Sequence, residues 1–386
     1  MSVARHSLRA DRPVSVVVRF QHIARTAFST LLLVALGACQ LSTTISWGDH
    51  EHRAAQTETV APAPQGPGDL EIRVLDIGAG LACVARLPLL PGETTHRYMI
   101  YDAGHYSGGG NRSFEAIQDF IEDDAEEIEI MVLSHSDADH LGAVDEILDA
   151  YTVRRVLRTG LPRTTATWRN ANEAIAIEVE HEDCEDINLA HRTVRPGATL
   201  RFGDVFVTFL CGFHQPPDDW DLNSLSERRN AGSICVRLTY RSRSVLFAGD
   251  AVGRHIGDPN DVCIATERHM VDYSPAVTID SDVLIAPHHG ADNGSSTAFI
   301  QAVSPTHVVF SAGHAHEHPR SAAAQRYLAN GVALANIFRT DRGDHEGDDE
   351  WDHEESGPEG HADPTGDDHI SIVLTANGNL SVSYVQ

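Results

Sequence analysis

A chain of 386 residues with 41% apolar content is long enough for one large domain or two ordinary ones, with a real core. Its formal net charge is −27 and all 29 of its cations are arginines, a balance that opposes casual binding to polyanions. A phosphorylated substrate would therefore need positive charge supplied at the site itself; the five cysteines after Cys39 are odd in number and include no CxxC pair, so they suggest neither a zinc knuckle nor a full disulfide framework, although one bridge, such as Cys184 with Cys211, could form.

The N-terminus reads as an address. Arg5, Arg9, Arg12, Arg19 and Arg25 precede an apolar run, Ala27 to Ala38, that is too short to span a bilayer as a stable helix. The run ends in Leu-Gly-Ala-Cys, Leu36 to Cys39, which resembles the lipobox of bacterial lipoproteins. That resemblance implies a leader over residues 1–38 and a lipid-modified Cys39 that anchors the mature chain to a membrane. Gln40 after the cysteine then implies onward transport to the outer membrane in a Gram-negative cell. An ordinary cleaved signal or an uncleaved anchor are the alternatives. Residues 39–68, rich in proline, alanine and glycine and without periodicity, form the expected tether.

From residue 69 to 386 the pattern is that of a folded domain. "LEIRVLDIG" and "HRYMIYDAG" read as strands, and "SFEAIQDFIEDD" as a helix with Ser113 as its N-cap. "EIEIMVLSH" is a strand that delivers His135 to its C-terminal end. "GAVDEILDAY" is helical, "VRRVLRTG" a strand, and Trp168 to Glu178 a helix. Two hairpin-like stretches follow, "TLRFGDVFVTFL" turning at Gly203-Asp204 and "SICVRLTYRSRSVLFAGD". An α/β rhythm then returns through "DVLIAPHHG", "STAFIQAV", "HVVFSAG", "PRSAAAQRYLANG" and "ANIFRTD". The chain closes on a hairpin turning at Asn377-Gly378. Such alternation predicts the α/β class, with functional groups at the carboxyl ends of strands.

The chemistry concentrates in three of those strand ends. "SHSDADH" places His135, Asp137, Asp139 and His140 within six residues; imidazole and carboxylate are the common ligands for borderline and hard divalent ions. "FAGD" ends an apolar strand in Asp250, and "LIAPHHG" ends another in His288 and His289. An aspartate-rich turn capping a helix would explain the first alone. It does not explain three separate strands delivering the same residue types at the same end.

Taken in this order and at this separation, "SHSDADHLGA", "FAGD" and "APHHG" resemble the metallo-β-lactamase fold superfamily. Among its branches they are most similar to the hydrolase domain of ComEC-type DNA-uptake proteins and its stand-alone relatives. "VLDIGAG", "IYDAG", "NAGS", "HEHPR" and "FRTD" extend the likeness from about Leu70 to Gln386. The fold it implies is an αββα sandwich of two mixed sheets with helices outside. The cofactors it implies are two divalent ions, zinc or manganese. By resemblance His135 and Asp137 hold the first ion, Asp139 and His140 hold the second together with His288 or His289, His288 being favoured, and Asp250 bridges both. Two ions about 3.5–4 Å apart can hold one hydroxide between them and stabilise charge developing on an attacked phosphorus or carbonyl, with no serine or cysteine nucleophile. Asp139 would also orient the water.

The sequence departs from the pattern at three points. Asp137 stands where many members have histidine, which makes the first site harder and more anionic and a true β-lactamase less apt. "DIGAGLA" keeps Asp76, Gly78 and Gly80 but lacks the Gln and second Asp common in the relatives; Asp76 reads as loop support. The histidine usually found between the first motif and the bridging aspartate has no unambiguous counterpart; His214 is the nearest candidate, and a loop histidine is its simpler reading. His316 and His318 in "HAHEHPR" could face the substrate as proton donor or phosphate contact, with His318 ahead. Asn230, Ser233 and Asn293 to Ser296 read as loop and cap residues. Residues 343–368, dense in Asp, Glu, Gly and His, read as a solvated loop insertion.

These readings converge on an exported, lipid-anchored dinuclear-metal hydrolase acting on a small-molecule, nucleotide or other phosphodiester substrate, with no protein partner implied. An acyl-type metallo-hydrolase or a non-catalytic metal-binding lipoprotein are the alternatives.

Overall fold

The structure is a computed structural model that describes residues 68–104, 112–121, 125, 127–342, 349–351 and 368–385. The expected leader, Cys39 and all of the tether but Gly68 lie outside these residues, as does most of the 343–368 insertion. No helix among the described residues is long and apolar enough to cross a membrane.

The first half of the domain builds one sheet. Strands β1 (Leu70–Val74), β2 (Ala82–Arg86) and β3 (Tyr98–Ala103) pair antiparallel in succession. Helix α1 (Arg112–Phe120) leads to β4 (Glu127–Leu133), then α2 (Ala138–Leu141) and α3 (Val144–Ala150). The short β5 (Thr152–Val153), β6 (Arg155–Arg158), α4 (Ala166–Glu180) and β7 (Glu185–Asn188) follow. From β3 onward the pairing is parallel. β4 is buried along nearly its whole length, as a strand covered on both faces must be. Its near-continuous apolar sequence follows from that. Ser113 does not cap α1; its hydroxyl donates to the Gly104 carbonyl. Thr165 caps α4, its hydroxyl accepting from the Trp168 N–H at 3.3 Å.

The second half builds the facing sheet. It contains β8 (Thr199–Phe202), β9 (Val205–Cys211), α5 (Leu225–Ala231), β10 (Cys235–Tyr240), β11 (Arg243–Phe247) and α6 (Ala265–Tyr273). It continues with β12 (Val283–Ile285), α7 (Thr297–Val303), β13 (His307–Phe310), α8 (Ser321–Ala329) and β14 (Ile337–Arg339). The closing hairpin, β15 (Ile370–Leu374) and β16 (Leu380–Tyr384), returns to the first sheet beside β1. The sheet orders are β16-β15-β1-β2-β3-β4-β6-β7, with β5 on β4, and β14-β13-β12-β11-β10-β9-β8. Both sheets are mixed, antiparallel toward one end and parallel toward the other.

Three apolar layers follow from this topology. Ile72, Tyr101, Val132, Val236, Phe247 and Ile285 belong to the core between the sheets, where the rings of Tyr101 and Phe247 stack at 4.8 Å. A second cluster joins the outer face of the first sheet to α1, α3 and α4, and a third joins the other sheet to α7 and α8. The architecture is the expected αββα sandwich. The five described cysteines are free; Cys184 and Cys211 lie in different clusters, on the outer faces of different sheets, so the bridge between them does not form.

The acidic insertion is not wholly a solvated loop. Asp349, Glu350 and Trp351 pack against the segment before α8: Ser321 donates its N–H to the Asp349 carbonyl at 3.0 Å and Trp351 donates to the Pro319 carbonyl at 2.8 Å. Trp351 is 3% exposed and packs near Phe310. The fully buried Arg339 donates to Asp341 Oδ1 at 2.7 Å and to Glu350 Oε1 at 2.5 Å. A buried guanidinium requires such counter-charges, and a tryptophan contributes more by burial than any residue around it in the sequence.

Candidate metal centre

The candidate ligands arrive at the carboxyl ends of three strands, one in the first sheet and two adjacent ones in the facing sheet. β4 exits into Ser134 and His135, β11 into Asp250, and β12 into the turn Pro287–Gly290 that holds His288 and His289. Two local constraints shape these exits. Gly104 lies so close to the Asp139-His140 backbone that an added Cβ would fall 1.5 Å from the Asp139 carbonyl oxygen. His288 and His289 both adopt left-handed backbone, at φ 51° and 55°, a conformation that costs a non-glycine residue about 1–3 kcal/mol. The His288 N–H is held by the Gly249 carbonyl at 2.8 Å, so the turn is tied to the strand end that carries Asp250.

Two donor groups result, sharing one histidine: His135 with His140 and Asp250, and Asp139 with His140 and His289. Within each group the donor atoms lie within 4.8 Å of one another. His140 Nε2 is 3.1 Å from Asp250 Oδ1 and 3.2 Å from His289 Nε2. His289 Nε2 is 3.5 Å from Asp250 Oδ1, and His135 Nε2 is 3.6 Å from Asp250 Oδ2. Asp139 Oδ2 is 3.8 Å from His289 Nε2 and 3.9 Å from His140 Nε2.

Each imidazole is braced through its other nitrogen. His140 Nδ1 donates to Asp102 Oδ2 at 2.8 Å, and His289 Nδ1 donates to the Ser311 carbonyl at 2.7 Å. His135 Nδ1 meets the Ser134 hydroxyl at 3.1 Å. With the proton of His140 and His289 held at Nδ1, Nε2 of each is left to ligate, the arrangement typical of metal-bound histidine. Asp102 also accepts the Ser134 N–H at 2.6 Å, which fixes the exit of β4. Ser233 holds the backbone at the other aspartate, its hydroxyl accepting the Asp250 N–H at 3.1 Å.

The electrostatics match. Burial disfavours charge on His140, but Asp250, Asp102 and Asp139 together outweigh it and hold its pKa well above the usual imidazole value. Burial and the neighbouring His140 push His135 down to about 4, and burial also lowers His289. Burial would raise Asp250, yet His140, His288, His135 and His289 outweigh it and keep it ionised. His135 Nε2 and Asp250 Oδ1 make no directed hydrogen bond although both are buried. The 3.1 Å approach of Asp250 Oδ1 to His140 Nε2 therefore lacks hydrogen-bond geometry. Orphaned buried donors and acceptors are costly unless something completes them.

Other expected residues fall elsewhere. Asp137 belongs to neither group: Arg163 and Arg229 both donate to its Oδ1, the latter at 3.0 Å. Of the histidine pair, His289 enters a donor group where His288 had been favoured. The left-handed turn carries His289 inward, while His288 is held between Asn293 Oδ1 at 2.6 Å and Asn230 Nδ2 at 3.1 Å. His288 Nε2 remains 3.5 Å from Asp250 Oδ2. His214 bonds the Thr159 carbonyl and takes part in neither group. Asp76 accepts the Gly78 N–H at 3.3 Å and the Asp368 N–H at 3.4 Å, a loop support as expected. Ser296 caps α7.

His318 is half-buried near the site, its ring 6.0 Å from that of His288, and its Nδ1 has no hydrogen-bond partner. Burial and the adjacent His289 and His288 push it down to about 3, so it is neutral near pH 7 and supplies a hydrogen bond, not a cation. His316 is exposed.

Sequence reasoning missed Asp102, Arg163, Arg229 and Glu267. The signal for Asp102 was its place as a charged residue at the end of a buried strand. Glu267, fully buried on α6, accepts the N–H groups of Ser295 and Ser296 at 2.6 and 2.8 Å and thereby fixes the turn that follows the histidine pair.

Two mixed sheets with outer helices, and a histidine-aspartate centre at their strand ends, define a metallo-hydrolase-like protein of the αββα type. The chain belongs to the metallo-beta-lactamase superfamily, whose sequence profile matches residues 93–314. It is similar to "Competence protein ComA" of Neisseria gonorrhoeae, 43% identical over 137 residues that cover 32% of this chain and 16% of that protein. It is also similar to "Uncharacterized protein YcaI" of Escherichia coli K12, 24% identical over 267 residues, or 69% of this chain and 28% of that one. The matches therefore span less than a third of either relative. Among solved structures, the metallo-beta-lactamase fold protein YhfI of Bacillus subtilis matches with a TM-score of 0.41 and 12% identity, covering 70% of this chain and 96% of that one. CmlA, a diiron beta-hydroxylase from Streptomyces venezuelae, matches with a TM-score of 0.38 and 17% identity, covering 72% and 53%. Proteins of this superfamily are generally metal-dependent hydrolases that bind divalent ions, often in pairs. The donor set fits such ions: three imidazoles and two carboxylates converge, two of their buried atoms unsatisfied.

Proposed function

We propose that the protein is a dinuclear-metal hydrolase that cleaves phosphodiester bonds. The observation that carries it is the pair of donor groups sharing His140, with His140 and His289 each protonated at Nδ1 and aimed through Nε2. Bound divalent ions supply Lewis acidity and an activated water at neutral pH. The chain's own groups do the rest. Asp250 and Asp139 compensate the cationic centre, Asp102 holds His140 in one tautomer, and Asp139, half-exposed at the mouth, is placed to orient the water. Half-buried His318 offers a neutral hydrogen-bonding group on the substrate side.

Three features support phosphodiesters over acyl substrates: the carboxylate Asp137 in place of the usual middle histidine, the paired arginines beside it, and the likeness to a competence protein. Purified protein with Mn²⁺ or Zn²⁺ should hydrolyse bis(p-nitrophenyl) phosphate and leave nitrocefin intact. Turnover of nitrocefin alone would replace this reading with an acyl-type hydrolase. A full metal complement with neither activity would point to a binding protein.

We also propose that the chain works in the cell envelope, anchored by lipid at Cys39. The lipobox-like Leu36 to Cys39 and the competence-protein match support this. Cys39→Ala should move the protein from the membrane fraction to the soluble one; unchanged fractionation would reject the anchor.

A further inference from the structure

Asp137 and Asp139 stand two residues apart in one motif, yet their carboxylates part. Asp139 faces His140 and His289, whereas Asp137 turns to the rim and meets Arg163 and Arg229 on a single oxygen. The two arginines come from distant places in the sequence: Arg163 from the segment after β6, and Arg229 from the last turn of α5. Their side chains are 23% and 20% exposed, so they are neither loose surface groups nor sealed in the core. Arg229 is also held by the Leu225 carbonyl at 3.0 Å and the Ser226 hydroxyl at 3.1 Å, which set its orientation without Asp137. Its neighbour Asn230 reaches His288 Nε2 at 3.1 Å, so the end of α5 that presents the guanidinium also borders the metal centre.

Among the described residues one carboxylate pairs with both guanidiniums, so the trio carries one positive charge in excess on a chain of net charge −27. Partial burial, together with repulsion from Arg229 in the case of Arg163, lowers the pKa of both guanidiniums. Guanidinium forks match the paired oxygens of phosphate and carboxylate, and the shared contact to Asp137 Oδ1 shows that these two forks converge on one oxyanion position.

We propose that Arg163 and Arg229 form a clamp for the non-bridging oxygens of a phosphoryl group, and that Asp137 fills this clamp as an internal oxyanion until substrate displaces it. The assignment rests on the phosphodiesterase reading and deepens it, naming the source of the local positive charge that an acidic chain must supply to an anionic substrate. Released from the arginines, Asp137 is free for the ligand role that the family pattern implies for it.

Binding of inorganic phosphate to the metal-free full chain, measured by calorimetry, tests the clamp without reference to catalysis. Asp137→Asn removes the internal carboxylate and should raise phosphate affinity about tenfold or more. Arg163→Gln and Arg229→Gln added to that background should abolish the gain. In the metal-loaded protein Arg163→Gln should raise KM for bis(p-nitrophenyl) phosphate about tenfold, more than it lowers kcat. Arg163→Lys should restore only part, since it returns the charge without the fork. Metal analysis and thermal melts establish that each variant is folded and loaded. Phosphate affinity unmoved by Asp137→Asn, or retained when both arginines are gone, overturns the clamp. Phosphate capture by Asp137→Asn in a protein that cleaves no phosphodiester keeps the clamp and retires the hydrolase reading.

Discussion

On the floor of the site His140 is fully buried, bonded at Nδ1 to Asp102, and faced at Nε2 by Asp250, His289 and Asp139. At the rim Asp137, Arg163 and Arg229 are each about one-fifth exposed, with one carboxylate oxygen serving two guanidiniums. The floor spends its hydrogen bonds on orientation before any ion or substrate arrives, which is what preorganised electrostatic catalysis requires. The rim is left short of anions. A fully satisfied pair would have no reason to release its partner; an under-neutralised pair keeps affinity for a second oxyanion. The pair of aspartates in "SHSDADH" thus serves two ends, although sequence pattern treats them alike.

Asp250→Ala should have the largest effect, since Asp250 alone faces four histidines. Hydrolysis should fall to background and bound metal should drop, with the circular dichroism of the fold kept; a variant that retains full metal would show that the floor is not the ion site. Trp351→Ala should cost about 3–5 kcal/mol in urea unfolding, because its ring is buried against the third core cluster. A loss near zero would return the whole acidic insertion to the solvated class. Glu267 gives a pH test. Burial raises its pKa to about 7 against a usual 4.5, with Ser295, Ser296 and Arg326 opposing. The folded state therefore holds the proton more tightly than the unfolded chain. Stability should be greatest below the unfolded value, fall as pH rises through it toward about 7, and then level off, for a loss of about 3 kcal/mol. Arg254 and Cys263 also face this carboxylate, so the measurement is the difference in urea midpoints between the native chain and Glu267→Gln, which should lack the slope. The smallest effect belongs to Asp102→Asn, which removes a brace and no ligand. Metal affinity should weaken about 10- to 100-fold in chelator competition; no change would mean that the His140 ring is fixed by packing alone.

Much of this was legible in the sequence for reasons that are local. Alternation and near-continuous apolar runs marked β1, β4, β11 and the closing hairpin, because burial on one or two faces writes itself directly into residue order. The three strand ends that carry His135, Asp250 and His289 were found for the same reason: a polar residue that ends a buried strand stands out. β7 and α5 were not found, since "EDIN" and "LSERRNA" carry little apolar signal and owe their structure to neighbours. Nor was the anchoring of Glu350 and Trp351, which depends on Arg339 becoming buried and needing a counter-charge.

The sequence by itself determined the class of fold, most of its strands and the residue types at its candidate metal centre, because covalent order and burial period suffice for those. Only the tertiary structure decided that Asp139 joins the histidines while Asp137 joins two arginines, and that His289 turns inward while His288 does not. Those choices are made by side chains brought together from 26 and 92 residues away, and by a left-handed turn at the end of β12, none of which is written in the neighbouring residues.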